Sequence, residues 1–251
     1  MNISINTFCL FGNAPLDEAF ARMKKYGYTV FEQWMIPQDK VVTTLKSMQE
    51  HTISLSAFCT GFFTLNDENC HDRYESAMTD ALQTAKQLSC PSLITQVGQD
   101  TGAPRAVQHA AIVNGLMRVK PILEKANVTL LVEPLNNVKD HKGYYLTSST
   151  EGFEIIREVD SPNVRLLFDV YHQLHMGEDV LSLIAQNLDL IGHFHVAGYP
   201  GRDEKLFGTY NYRPLFQLLN DRHVTAPVGL ELFPGSPGQA DALLEELQLY
   251  C

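Results

Sequence analysis

Two periodicities alternate along this chain without interruption, and that alternation restricts the fold more than any other feature. Eight short β-rich runs stand at residues 3–9, 29–34, 53–59, 92–97, 129–134, 164–170, 193–197 and 227–233. Each is followed by a segment with apolar residues at helical spacing, at 14–25, 39–50, 73–88, 105–126, 150–159, 179–190, 212–220 and 239–249. In the first of these, Leu16, Ala19, Phe20 and Met23 share one face; Ser148, Ser149 and Thr150 supply caps for the fifth, and Pro121 predicts a kink or break in the fourth. Strict strand–helix alternation requires a parallel sheet with crossover helices. Eight units in 251 residues leave about 31 residues each, the length of a βα unit. An open doubly wound sheet and a closed barrel both satisfy the pattern. The count of eight, and the lack of a GxGxxG or GxxxxGK[ST] loop after an early strand, favour an α/β chain folded as a single (βα)8 TIM barrel over residues 1–251.

An apolar content of 45% supplies a sizeable core, and the formal charge of −10 opposes wrapping around a polyanion. With no basic stripe, nucleic acid is not expected as a partner. Cysteines at 9, 59, 70, 90 and 251 are odd in number and form no CxxC pair, which points to a reducing cytoplasm. No apolar run approaches 18 residues and no basic n-region opens the chain, so neither a membrane partner nor a signal peptide is expected.

In a (βα)8 enzyme the reactive groups stand at the C-terminal ends of the strands. The last four β-rich runs end in Glu133, Asp169, His195 and Glu231, spaced 36, 26 and 36 residues apart, about one βα unit each. Neighbouring strands would aim all four at a common centre. Three carboxylates and an imidazole in one place repel or take up protons unless a cation joins them; hard oxygen donors with one nitrogen suit Mn2+ or Mg2+ best, with Co2+ and Zn2+ also compatible. An acidic residue at one strand end commonly just caps the next helix, but four in register on successive strands argue for a site. Gln96, near the end of the fourth run, and Trp34, closing the second beside Glu32 at the expected rim, are further candidates for substrate contact.

Several segments carry a family resemblance: Val132-Glu133-Pro134-Leu135-Asn136, Gly143-Tyr144-Tyr145-Leu146, Phe168-Asp169-Val170-Tyr171-His172 and Pro200-Gly201-Arg202. Together they resemble the hydroxypyruvate isomerase family of the xylose-isomerase-like TIM-barrel superfamily, most strongly from about residue 129 to 234. The resemblance implies a divalent-metal site at Glu133, Asp169, His195 and Glu231. It also implies that the two glutamates are the acid/base pair of a cis-enediolate isomerisation, hydroxypyruvate to tartronate semialdehyde or a related oxo-acid reaction. His172 and Arg202 match positions that contact substrate oxygens, and relatives assemble as dimers or tetramers. Two departures stand out. The family's strand-seven Gln is His195 here, as in ketose 3-epimerases, and its glycine-rich HEPGTGE stretch is replaced by Asp203–Thr209. A ketose 3-epimerase is therefore the alternative activity, and a non-catalytic sugar-binding barrel a remote one. The superfamily's trinuclear zinc endonucleases need a histidine where Cys59 and Thr60 stand.

Among the remaining residues, His193 is expected to be a hydrogen-bonded core residue and His175 to lie in a loop or first turn. Cys59 is expected to be a small buried apolar group, and Phe8 to sit near the end of the first strand.

Overall fold

The structure, a computed structural model, describes residues 1–250; Cys251 lies outside them. Strands β1 (Ile3–Asn6), β2 (Val30–Gln33), β3 (Ser54–Cys59), β4 (Ser92–Thr95), β5 (Thr129–Val132), β6 (Val164–Asp169), β7 (Ile191–Val196) and β8 (Val228–Leu230) pair in parallel, in sequence order, and β8 closes on β1. Around them run helices α1 (Thr7–Phe11), α2 (Leu16–Lys25), α3 (Val41–His51), α4 (His71–Leu88), α5 (Arg105–Ala126), α6 (Ser149–Val159), α7 (Val170–His175), α8 (Val180–Asn187), α9 (Arg213–Asp221) and α10 (Pro237–Leu247). The expected (βα)8 barrel is the observed fold. No helix among the described residues is long and apolar enough to cross a membrane.

Most strands stop earlier than the apolar runs suggest, because the residues after them enter loops or helices at the barrel's mouth. The first run ends as a strand at Asn6, whose side-chain oxygen accepts the Cys9 N–H at 3.1 Å and starts one helical turn; Phe8 thus sits on α1 rather than on a strand. His175, expected in a loop or first turn, is the last residue of the short helix α7. Pro121 neither breaks nor ends α5. The carbonyl it leaves without an N–H partner belongs to Met117, on the exposed face, where water can serve. Ser148 caps α6 as expected, accepting the Thr150 N–H.

Apolar side chains fill two separate spaces. The main core lies between the strands and the helix ring. A small second cluster, Ala57, Ile94, Leu131 and Leu167, plugs the barrel's interior below β3 to β6. The other interior wall is polar. Ser4 on β1 meets Ser56 at 2.6 Å, and Glu32 on β2 meets His193 on β7 at 2.9 Å, each pair reaching between strands that are not neighbours. The period of two within a strand then fixes the mouth: Gln96, Glu133, Asp169, His195 and Glu231 stand two residues beyond Ile94, Leu131, Leu167, His193 and Gly229.

Candidate active site

Trp34, Cys59, Gln96, Glu133, His172, His195, Arg202 and Glu231 line one cavity of about 190 Å3 at the C-terminal mouth. Asp169 is not among the lining residues but lies beside them, grouped with Glu133, His172 and Glu231, so the residues expected from the sequence come together. Around His195 Nδ1 stand Glu133 Oε1 at 3.4 Å, Glu231 Oε2 at 3.4 Å and Asp169 Oδ2 at 3.9 Å. All four residues are buried, and His195 Nδ1 has no hydrogen-bond partner.

Each carboxylate is held differently. Asp169 caps α7, its Oδ1 accepting the His172 N–H at 3.0 Å, which leaves Oδ2 facing the centre. Glu133 accepts one side-chain bond, from Gln96 Nε2 at 3.2 Å. Glu231 is clamped at both oxygens: Trp34 Nε1 donates to Oε1 at 2.5 Å and Arg202 Nη2 to Oε2 at 2.6 Å. Burial penalises the Glu231 anion, but Arg202 and His195 outweigh it and keep the carboxyl well below the usual range. Asp169 moves the other way, raised by burial and by Glu231. Burial disfavours a charged His195, yet Glu32 and Glu231 push its pKa well above the ordinary value.

The two imidazoles are not equivalent. The Asn136 backbone N–H (3.3 Å) and side-chain amide (2.6 Å) both approach His172 Nδ1, making that nitrogen an acceptor and placing the ring proton on Nε2. Burial, reinforced by Arg202, lowers the His172 pKa to about 3, so the ring is neutral. Its Nε2–H, 3.6 Å from Asp169 Oδ2 and without a hydrogen bond, is a donor facing the cavity. His172 groups spatially with Glu133, Asp169 and Glu231, but this proton makes it suited to an oxygen rather than a cation. A divalent ion fits the donor set: three buried carboxylates with oxygens turned inward and one buried imidazole nitrogen left unpaired among them.

Arg202 comes from the loop after β7. Its backbone is left-handed at φ 59°, its N–H is bonded to the Gly198 carbonyl at 2.6 Å, and its carbonyl accepts the Phe233 N–H at 2.8 Å. Tyr171 and Phe233 flank the guanidinium at 5.4 and 5.8 Å from their ring centres.

At the site itself, one residue expected at the rim lies elsewhere, and one that sets a ring proton was not expected. Glu32 is not at the rim; it lies wholly buried inside the barrel, with Oε2 2.9 Å from His193 Nε2 and Oε1 3.0 Å from His195 Nε2. Burial raises its pKa, but His195 and His193 overcome this and bring it to about 2. The alternation of β2 carried the signal, since Glu32 lies two residues before Trp34, as His193 lies before His195. Asn136, which sets the His172 proton, had only its place after Glu133 to mark it. His193 is the hydrogen-bonded core residue expected, His175 packs between Tyr171 and Tyr199 outside the cavity, and the Cys59 thiol is pushed well up by burial and then by Glu133. Among the described residues, Cys9, Cys59, Cys70 and Cys90 form no disulfide.

Residues 20–250 match the family described as Xylose isomerase-like TIM barrel. The chain belongs to that family. Hydroxypyruvate isomerase of Escherichia coli (strain K12) is 26% identical over 253 residues, covering 96% of both chains. The 2-oxo-tetronate isomerase of Cupriavidus necator is 32% identical over 132 residues, about half of each chain (53% and 50%). A crystal structure of an AP endonuclease, family 2, from Brucella melitensis superposes with a TM-score of 0.90 at 23% identity, covering 100% of this chain and 99% of that one, and shows the shared fold. Within this xylose isomerase-like family the chain is an enzyme of isomerase type.

Proposed function

We propose that this protein is a divalent-metal-dependent isomerase of a small α-hydroxy carbonyl compound, with an oxo-acid such as hydroxypyruvate as the leading substrate. The observation that carries this reading is the ring of three buried carboxylates around the unpaired His195 Nδ1, beside a neutral His172 that offers an N–H. Glu133, Asp169, His195 and Glu231 would hold the ion, which when bound supplies Lewis-acid polarisation of neighbouring carbonyl and hydroxyl oxygens.

The chain's own groups account for the proton traffic. Removing a weakly acidic C–H next to a carbonyl needs a carboxylate on one side of the carbon and a proton source on the other. Glu133 and Glu231 flank the cavity and fill these two roles along a cis-enediolate path. His172 Nε2–H is placed to donate to a substrate oxygen on which charge develops. Arg202 balances that charge and fixes Glu231; Gln96 and Trp34 orient the two glutamates through the bonds described above. A cavity of about 190 Å3 lies below the range typical of drug-sized ligands and suits a substrate of a few carbons. The name of the relative matched over 96% of its length supports the oxo-acid reading.

His195 favours a second reading, a ketose 3-epimerase, in which the proton returns to the opposite face of the same carbon. The test is turnover of hydroxypyruvate, four-carbon oxo-acids and free ketoses after chelation and after Mn2+ or Mg2+ add-back, in deuterated water. Metal-restored activity with solvent deuterium at the product carbon is expected. Activity unaffected by chelation, or full retention of substrate hydrogen, overturns the mechanism.

A further inference from the structure

We infer that Glu32 is a positioning residue for the ion site: it holds His195 from below so that Nδ1 faces the three carboxylates. This rests on the metal reading proposed above.

The geometry runs through one carboxylate with two imidazoles on it. Glu32, fully buried inside the barrel, has one oxygen 2.9 Å from His193 Nε2 and the other 3.0 Å from His195 Nε2. A ring that gives Nδ1 to a cation carries its proton on Nε2, and the acceptor next to that nitrogen is Glu32 Oε1. Neither His195 Nε2 nor Glu32 Oε1 has a hydrogen-bond partner in this geometry; the two stand 3.0 Å apart as an ion pair. A carboxylate only accepts, so it opposes the alternative in which the proton sits on Nδ1 and points at Glu133 and Glu231. His193 anchors the other oxygen and fixes the direction of the first.

An independent observation comes from β8. A Cβ added to Gly229 would stand 2.6 Å from Glu32 Oε2, 2.6 Å from His195 Cδ2 and 2.8 Å from Glu32 Oε1. The backbone of Gly229 is not left-handed, so glycine is required there by space: the missing side chain is the room that the Glu32–His195 contact occupies.

The test is a double-mutant cycle read as Mn2+ affinity by calorimetry, with wild type, Glu32→Leu, His195→Gln and the double variant. Leu removes both acceptors at similar volume, leaving His193 and His195 without the carboxylate between them. Wild type should bind one Mn2+ per chain, and Glu32→Leu should bind it about 10- to 100-fold more weakly. In the His195→Gln background the same replacement should cost little, because its effect passes through the imidazole. If Glu32→Leu does not fold, Glu32→Gln goes through the same cycle; it keeps one acceptor, so a smaller loss with the same non-additivity is expected. Wild-type affinity in the Glu32 variant, additive losses, or a second Mn2+ bound per chain would overturn the assignment. Failure of wild type to bind Mn2+ at all would instead refute the metal reading of the site.

Discussion

Replacing either glutamate by glutamine should abolish catalysis, yet the two variants should differ in stability. Loss of the acid/base group is expected to cost about 10²–10⁴-fold in kcat, or about 3–5 kcal/mol at 1.36 kcal/mol per tenfold. Glu133 takes one side-chain bond, from Gln96 Nε2, and Gln96 Oε1 is a buried acceptor without a partner. A new amide at 133 can therefore donate to Gln96 once the Gln96 amide turns over, and Glu133→Gln should melt no lower than wild type in chelator. Glu231 accepts from Trp34 on one oxygen and Arg202 on the other. Glutamine offers a single oxygen, so its NH2 must confront one of these donors. One unsatisfied buried donor costs about 1–3 kcal/mol, which at about 2–4 °C per kcal/mol for a chain of this size lowers Tm by roughly 2–12 °C. Melting in chelator, with kcat measured at saturating Mn2+, separates the two effects. Wild-type turnover in either variant would refute the acid/base pair; equal melting of the two variants would refute the donor conflict at Glu231.

Gly198→Ala should displace Arg202 and impair turnover, because the added Cβ would lie 2.1 Å from Asp203 Oδ1 and 2.9 Å from the Lys205 N; unchanged kinetics would show that the loop absorbs it. His109 on α5 lies 3.1 Å from Glu151 and 3.0 Å from Glu158 on α6. Burial lowers its pKa, but bonds to Glu158 and Glu151 outweigh that and raise it overall. The stability it adds is thus full below its unfolded pKa and lost as pH rises through the raised folded value. Denaturant midpoints of wild type and His109→Gln should accordingly diverge at acidic pH and converge at alkaline pH; the opposite trend would disprove the contact's role. Mn2+ at 100 times its Kd should stabilise the native state by about 2.7 kcal/mol, visible as a rise in Tm that disappears in Glu133→Gln/Asp169→Asn; an equal rise in that variant would place the ion elsewhere.

The fold was legible because each βα unit repeats the same two periods, and nothing in 251 residues competes with eight of them. The site was legible for a related reason: Glu133, Asp169, His195 and Glu231 stand at corresponding ends of four successive β-rich runs. Strand ends were less so, since Asn6 caps a helical turn where the apolar pattern simply continues. Glu32 was harder still. The alternation of β2 could place it inward of Trp34, but its partners come from strand seven, and nothing local to β2 names those histidines. The direction of the His172 proton depends on Asn136, a contact across 36 positions that only the folded barrel reveals.

The division of the barrel's interior into a dry wall and a wet one has a consequence for how this scaffold can change. Trimming Leu131 or Leu167 draws on cohesion alone, and such losses can be restored by any change that tightens packing elsewhere. Glu32, His193 and Gly229 form a different kind of floor, in which each accepts one shape and one hydrogen-bonding pattern. Laboratory evolution toward new substrates should therefore leave that floor constant and accumulate its changes at the opening, around the lining residues Met35, Gly61 and Phe62.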